Sequence, residues 1–434
     1  MKIRIFQSAK GDCLLLEGSD GTHFLCDGGM RDSMQNIVRK ELGKLRTQGT
    51  RLEYVYVSHI DQDHIAGVLA LLEDELEWRL YEHHKAKGTP KPKPKFPRPP
   101  EIGGIWHNAF RDQVGENAGH VEDLLAAASS TFLATGDADL RSLGSGYQQI
   151  ALSIGEALKV SRLASADLLK IATNVLPGAA GPAKLLMARK NQPSFPVGAM
   201  KFTIIGPRPK ELEDLKTGWN KWLESVEGDK AVSRLRREIK EKIDSFGTAG
   251  GVSGGWNGVP PYKGVTTPNV ASLMFMVEES GKRVLLTGDS HQDMITDGLE
   301  TTGFLAKDGG IHLDVLKVQH HGSEHNLKAD FAKRVSADHY IFTGNGENGN
   351  PEIRVIDAIY ESRLGKPSLR TLDPKAAGRK FKFWFSTTSA LQEPGSKEQK
   401  VYAAMEAHVA ELKTRSGGML STKFNPGASI TLSL

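Results

Sequence analysis

A layered α/β fold is the expectation for this 434-residue chain, and three observations predict it. The N-terminus alternates apolar and polar residues through three short segments joined by glycine-containing turns, the pattern of an antiparallel meander. Further on, short β-branched or aromatic runs alternate with longer segments of helical periodicity. Several of those runs end in glycine beside aspartate or histidine. Asp27-Gly28-Gly29, Gly288-Asp289 and His320-His321-Gly322 are examples, so polar groups gather at strand ends.

Composition sets the outer bounds. At 39% hydrophobic the chain can build a substantial core, and its length suits one large domain, 1–434, carrying insertions. A formal net charge of +4 permits an acidic substrate such as a phosphodiester without demanding one. Two cysteines, Cys13 and Cys26, are too few for a disulfide framework and read as buried small residues in a reducing compartment. Met1 to Phe6 enters a strand without a signal-peptide pattern, and no apolar run approaches the ~18 residues of a membrane span. A cytoplasmic location and no membrane partner are expected.

Taken in order, Lys2–Phe6, Leu14–Glu17 and His23–Cys26 form the meander, with Gly11-Asp12 and Gly18 to Gly21 as turns. The paired glycines after Asp27 allow close backbone approach, either as a plain turn or as a loop beneath a site. Met34–Leu45 has the spacing of an amphipathic helix. Tyr54–Val57 is a strand, and Ile65–Leu72 begins a buried helix reaching about Tyr81. Residues 85–100 alternate lysine and proline, which predicts an extended basic surface loop. Ile102–Asn108 returns to strand and presents His107.

An α-helical insertion is expected over 108–196, with alanine-rich helices at Val121–Phe132, Tyr147–Arg162 and Ala164–Leu176 capping the site. Residues 208–264 form a second insertion, helical and charged over Glu211–Phe246, then glycine-rich and suited to a mobile lid. Strands follow at Lys201–Pro207, Asn269–Val277, Arg283–Thr287, Asp314–Gln319 and Tyr340–Thr343. Lys317 alternates with apolar neighbours, so it is either an outward-facing strand residue or a charge aimed at the site. Helices at Glu352–Ser362 and about Lys397–Thr414, with strands Phe381–Ser386 and Ser429–Leu434, close the chain.

The densest chemistry is Ser58-His59-Ile60-Asp61-Gln62-Asp63-His64, on the strand-to-helix turn. Two imidazoles and two carboxylates in seven residues suit zinc, manganese or iron. An N-cap alone requires a single aspartate rather than four ligands. Asp289 and the pair His320-His321 stand at two later strand ends where further ligands would be presented.

Together these segments resemble the metallo-β-lactamase fold superfamily, and more narrowly its ComEC-like, competence-type branch. The matching residues are Gly11-Asp12, Asp27-Gly28-Gly29, His59 to His64, Asn269 with Ser272, Leu286 to Asp289 and Leu316 to Ser323, in the family's order. The resemblance implies a four-layer αββα sandwich and a metal-dependent hydrolase. Its implied metal ligands are His59 and Asp61 for a first ion, Asp63, His64 and His320 for a second, and Asp289 bridging. Asp63, His321 and Lys317 are the implied catalytic groups, with His107 and Asn350 as further metal or substrate contacts. Zinc, one or two ions, is the expected cofactor, with manganese as alternative.

Two departures stand out. The more common His-x-His-x-Asp-His has Asp61 in place of its second histidine, and no histidine follows the Gly206-Pro207 strand. The first position is therefore short of nitrogen ligands. The expected reaction is hydrolysis of a phosphodiester or nucleic acid. A small ester, lactone or phosphorylated metabolite is the alternative substrate. A non-catalytic component holding a protein partner through the helical insertion is the third reading.

Overall fold

The structure, a computed structural model, describes residues 1–108, 152–214, 269 and 271–434. The expected helix Val121–Phe132, the start of Tyr147–Arg162, most of Glu211–Phe246 and the glycine-rich lid lie outside the described residues.

Two sheets form the centre. The first holds β1 (Lys2–Phe6), β2 (Leu14–Glu17), β3 (His23–Cys26), β4 (Leu52–Val57), β5 (Ile102–His107) and β6 (Ala172–Thr173) in that order. The C-terminal strand β15 (Ser429–Ser433) pairs antiparallel with β1, Ile5 opposite Ile430. The second sheet runs β14 (Leu420–Phe424), β13 (Phe381–Phe385), β12 (Val335–Phe342), β11 (Ile311–Lys317), β10 (Lys282–Leu286), β9 (Met274–Glu279), β8 (Met200–Gly206), β7 (Phe195–Val197). Pairing is antiparallel in the hairpin portions and parallel across β3-β4-β5 and β10-β11-β12-β13.

The alternation of the strands sorts side chains into three cores. Ile3, Leu16, Phe24, Tyr56 and Trp106 face Phe202, Phe275, Val284 and Ile341 between the sheets. Leu25, Val55 and Ile105 face outward onto helices α1 (Arg39–Thr47), α2 (Gln62–Ala86) and α3 (152–164). On the far side Met276, Leu285 and Leu313 pack against α4 (Gln292–Thr301), α5 (Ala329–Arg334), α6 (Ile353–Leu364) and α7 (Lys397–Arg415). The layers are helix, sheet, sheet, helix, as the sandwich requires. This topology sends the C-terminal ends of β3, β4, β5, β10, β11 and β12 to one edge, the place where open α/β sheets bind ligands.

Three local expectations need correction. Ala164–Leu176 is not a helix: α3 ends at Ala164, and Ala172–Thr173 instead extends the first sheet against Gly104 and Ile105. Asn269 to Leu273 precedes its strand, which begins at Met274. The basic loop is a strap rather than a free coil. Trp78 Nε1 donates to the Phe96 carbonyl at 3.2 Å, and Arg98 pairs with Glu75 and Glu82, so the segment lies back along α2. Proline denies the loop a core of its own, and α2 supplies one.

Candidate metal centre

The edge is built from backbone outward. Asp27, at the end of β3, adopts φ 55° and turns its carboxylate under the neighbouring strand. There it accepts from Ser58 N at 2.7 Å and Ser58 Oγ at 2.8 Å, and it lies 3.0 Å from His64 Nδ1. Gly28 and Gly67 make this possible: a Cβ on Gly67 would lie 2.0 Å from the Gly28 carbonyl oxygen, so α2 touches the loop only because neither residue has a side chain. The paired glycines thus belong to a loop beneath the site. Asp61 sits at the N-cap of α2 yet its side chain makes no capping bond. Its carboxylate is left for other work, 3.6 Å from His59 Nε2.

Across the interface, Gln319–Gly322 forms a tight turn in which His320 (φ 46°) and His321 (φ 55°) are both left-handed. This conformation costs roughly 1–2 kcal/mol per residue. It turns two adjacent imidazoles toward one carboxylate, whereas extended backbone would send them to opposite faces.

Four histidines converge on that carboxylate. Asp289 Oδ2 lies 3.2 Å from His321 Nε2, 3.3 Å from His64 Nε2, 3.8 Å from His320 Nε2 and 4.0 Å from His59 Nε2. Asp63 adds Oδ2 at 3.1 Å from His321 Nε2 and Oδ1 at 3.9 Å from His64 Nε2. In every ring the other nitrogen is engaged: His64 by Asp27, His321 by Asp12 at 3.1 Å, His59 by Ser58 at 3.0 Å, His320 by Asn326 at 2.7 Å. A carboxylate facing Nδ1 assigns the proton there and leaves Nε2 as a lone-pair donor.

The buried inward atoms are orphans. His59 Nε2, His64 Nε2, His321 Nε2 and Asp289 Oδ1 have no hydrogen-bond partner. Two ligands of one zinc ion sit about 3.3–3.5 Å apart, given metal–ligand distances near 2.0–2.2 Å. The separations around Asp289 straddle that value, so the donor set fits divalent metal. Asp12, His64, Asp289 and His321 place their ligand atoms within 4.8 Å of one another.

Electrostatics bind the cluster together. Burial alone would raise the Asp289 carboxyl, but His321, His64 and His320 hold it well below the usual carboxylate range. Asp12 and Asp63 behave alike, with burial outweighed by Lys317, His321 and His64 at Asp12 and by His64 and His321 at Asp63. Burial opposes charge on His64 and His321 too, yet the surrounding aspartates push both above the ordinary imidazole value. His320 goes the other way, lowered mainly by burial.

The structure thus gathers His59, Asp61, Asp63, His64, Asp289, His320 and His321, all anticipated from sequence. The two adjacent histidines differ in depth: His321 side chain is 6% exposed and His320 28%, and His321 is the one in the tightest cluster. The expected order, His320 as ligand and His321 behind it, is therefore not what the geometry favours; both rings present Nε2, and His321 is nearer. Lys317 is not an outward-facing strand residue. It is buried, ion-paired with Asp12, and donates to the Gly288 carbonyl at 3.1 Å, so it steadies the site from behind rather than facing a substrate. Asn350 reaches only the His320 carbonyl, at 3.5 Å. His107 is buried at the end of β5, where burial pushes its imidazole down to about 4 and keeps it neutral.

Three supporting residues escaped sequence reasoning as site members. Asp12 bridges Lys317 and His321, and Thr343 Oγ1 donates to it. Asp27 braces His64, and Asn326 braces His320 while donating to the Asp289 carbonyl at 2.8 Å. Gly11-Asp12 carried a signal: a Cβ at Gly11 would lie 1.9 Å from the Asp63 carbonyl oxygen, so the turn is packed against the metal loop.

A buried centre of histidines and aspartates at the strand ends of an αββα sandwich defines the class, a metal-binding protein of hydrolase architecture. The family model of the metallo-beta-lactamase superfamily matches residues 9–142, so the chain carries a domain of that superfamily. The match includes Asp12, Asp27 and His59 to His64; the second sheet supplies Asp289 and His321. No curated protein matches the chain.

Proposed function

We propose that this protein is a metal-dependent phosphodiesterase, related to the ComEC-like branch. The observation that carries the hydrolase reading is the ring of four imidazole Nε2 atoms within 4.0 Å of Asp289 Oδ2, with Asp63 beside them. His64, His321, Asp63 and Asp289 would hold one zinc or manganese ion, and His59 and Asp61 a second that shares Asp289. Divalent metal in such a centre supplies a Lewis acid and lowers the pKa of water toward neutrality. Asp63, 18% exposed at its side chain, is the carboxylate placed to accept a proton from an attacking water. Asp12 and Asp27 keep His321 and His64 in the tautomer that points Nε2 inward. The phosphodiester preference rests on the ComEC-like motifs and on the mild positive charge, +4, which draws an anionic substrate.

The test is metal analysis combined with hydrolysis of bis-p-nitrophenyl phosphate and of single- and double-stranded DNA, with zinc and with manganese. Turnover of any of these, lost in Asp289→Asn, is the expected result. Inactivity on all of them with both metals overturns the phosphodiesterase reading. Activity confined to esters or lactones would move the assignment to the small-molecule alternative.

A further inference from the structure

We infer that His107 is a ligand of the ion held by His59 and Asp61, an inference that rests on the metal centre proposed above. His107 is the last residue of β5 and lies in register with Val57, two residues before His59 on the adjacent parallel strand. Its backbone is clamped on both sides by Asn174, whose Oδ1 accepts from His107 N at 2.9 Å and whose Nδ2 donates to His107 O at 2.9 Å. The clamp continues the strand pairing one step past β6 and fixes where the side chain leaves the sheet.

The ring it fixes is an anomaly. His107 is 1% exposed, and neither Nδ1 nor Nε2 has a hydrogen-bond partner. A buried polar atom left unpaired costs about 1–3 kcal/mol, so an imidazole with both nitrogens idle is one whose partner is not a protein atom. The nearest charge it senses is His59, whose Nε2 is idle in the same way. His59, Asp61 and Asp289 together offer one nitrogen and two carboxylates, one donor short of the four that zinc takes. Burial keeps His107 neutral, so it has no proton to shed before binding a cation.

Cobalt substitution in the full-length protein tests this. Wild type is expected to bind two cobalt ions. In His107→Ala the ion at His64 and His321 is retained, while the other weakens about tenfold or more. His107→Cys is expected to restore the second ion and to add a thiolate-to-cobalt charge-transfer band that wild type lacks. Circular dichroism reports folding of each variant, and His107→Cys decides the matter where His107→Ala does not fold. Two ions bound with wild-type affinity in His107→Ala, or cobalt bound by His107→Cys without the band, would overturn the inference and leave the rest of the centre standing. Failure of wild type to bind any cobalt would remove the metal centre itself, and His107's role with it.

Discussion

His64 and His321 differ from His59 and His320 in what stands behind the ring. The first pair is braced by carboxylates, Asp27 and Asp12, while the second is braced by the neutral groups of Ser58 and Asn326. All four present Nε2 to the same Asp289 oxygen. A carboxylate behind an imidazole fixes its tautomer and makes it more basic, whereas a neutral acceptor only orients it. Burial is common to both pairs, yet it is outweighed at His64 and His321 and dominates at His320. The difference teaches that one half of the centre is built for tight binding. The other half, with Asp61 half-exposed, is built with a looser hold.

The strongest way to break this comparison is to remove what both pairs share. Asp289→Ala is expected to abolish hydrolysis and to strip the protein of metal, read by elemental analysis; a full ion retained at His64 and His321 would show that Asp289 is not the hub. Next in size is the buried support. Lys317→Met leaves Asp12 without its cation and should destabilise the fold by about 3–5 kcal/mol in urea titrations. The double variant with Asp12→Asn should lose less than the two singles combined.

A finer test separates the pairs directly. Asp12→Asn and Asp27→Asn should each weaken metal binding about 10–100-fold in competition with a chelator. Asn326→Ala, behind His320, should cost less than about tenfold. Equal losses would erase the distinction between the halves. The smallest expected effect is on the metal-free protein. Raised imidazoles contribute stability that is present below about pH 6.5 and lost as pH rises through their folded pKa values. Depressed carboxylates contribute stability that is present above about pH 4 and lost as pH falls through theirs. In chelator, wild type should therefore exceed His321→Gln in melting temperature most clearly between about pH 4 and 6.5. The gap should close on the alkaline side as His321 loses its proton.

Much of this was legible beforehand because it is local. Period-two runs such as His23–Cys26 and Arg283–Leu286 announce strands, and His59 to His64 concentrates ligands within a single turn. The short edge strand β6 was not legible, since two residues carry no periodicity and Ala172 pairs only because Gly104 is already in place. Helix α4 also went unseen, with its N-cap at His291, a residue whose Nδ1 accepts from Asp293 N at 3.1 Å. Histidine is a rare cap, and the ligand motif beside it masked the boundary.

Sequence by itself determined the identity of the metal-binding side chains, because carboxylate and imidazole at strand ends have one chemistry wherever the chain places them. It also determined the layered architecture through the alternation of its strands. Only tertiary structure decided the order within the His320-His321 pair, since two left-handed residues cancel the alternation that adjacency would impose. Tertiary structure likewise turned Lys317 from a surface candidate into a buried partner of Asp12, a residue 305 positions away whose carboxylate reaches His321 from the other sheet. Charges that meet across two sheets leave no periodic trace in either strand, so their pairing is written only in the packed molecule.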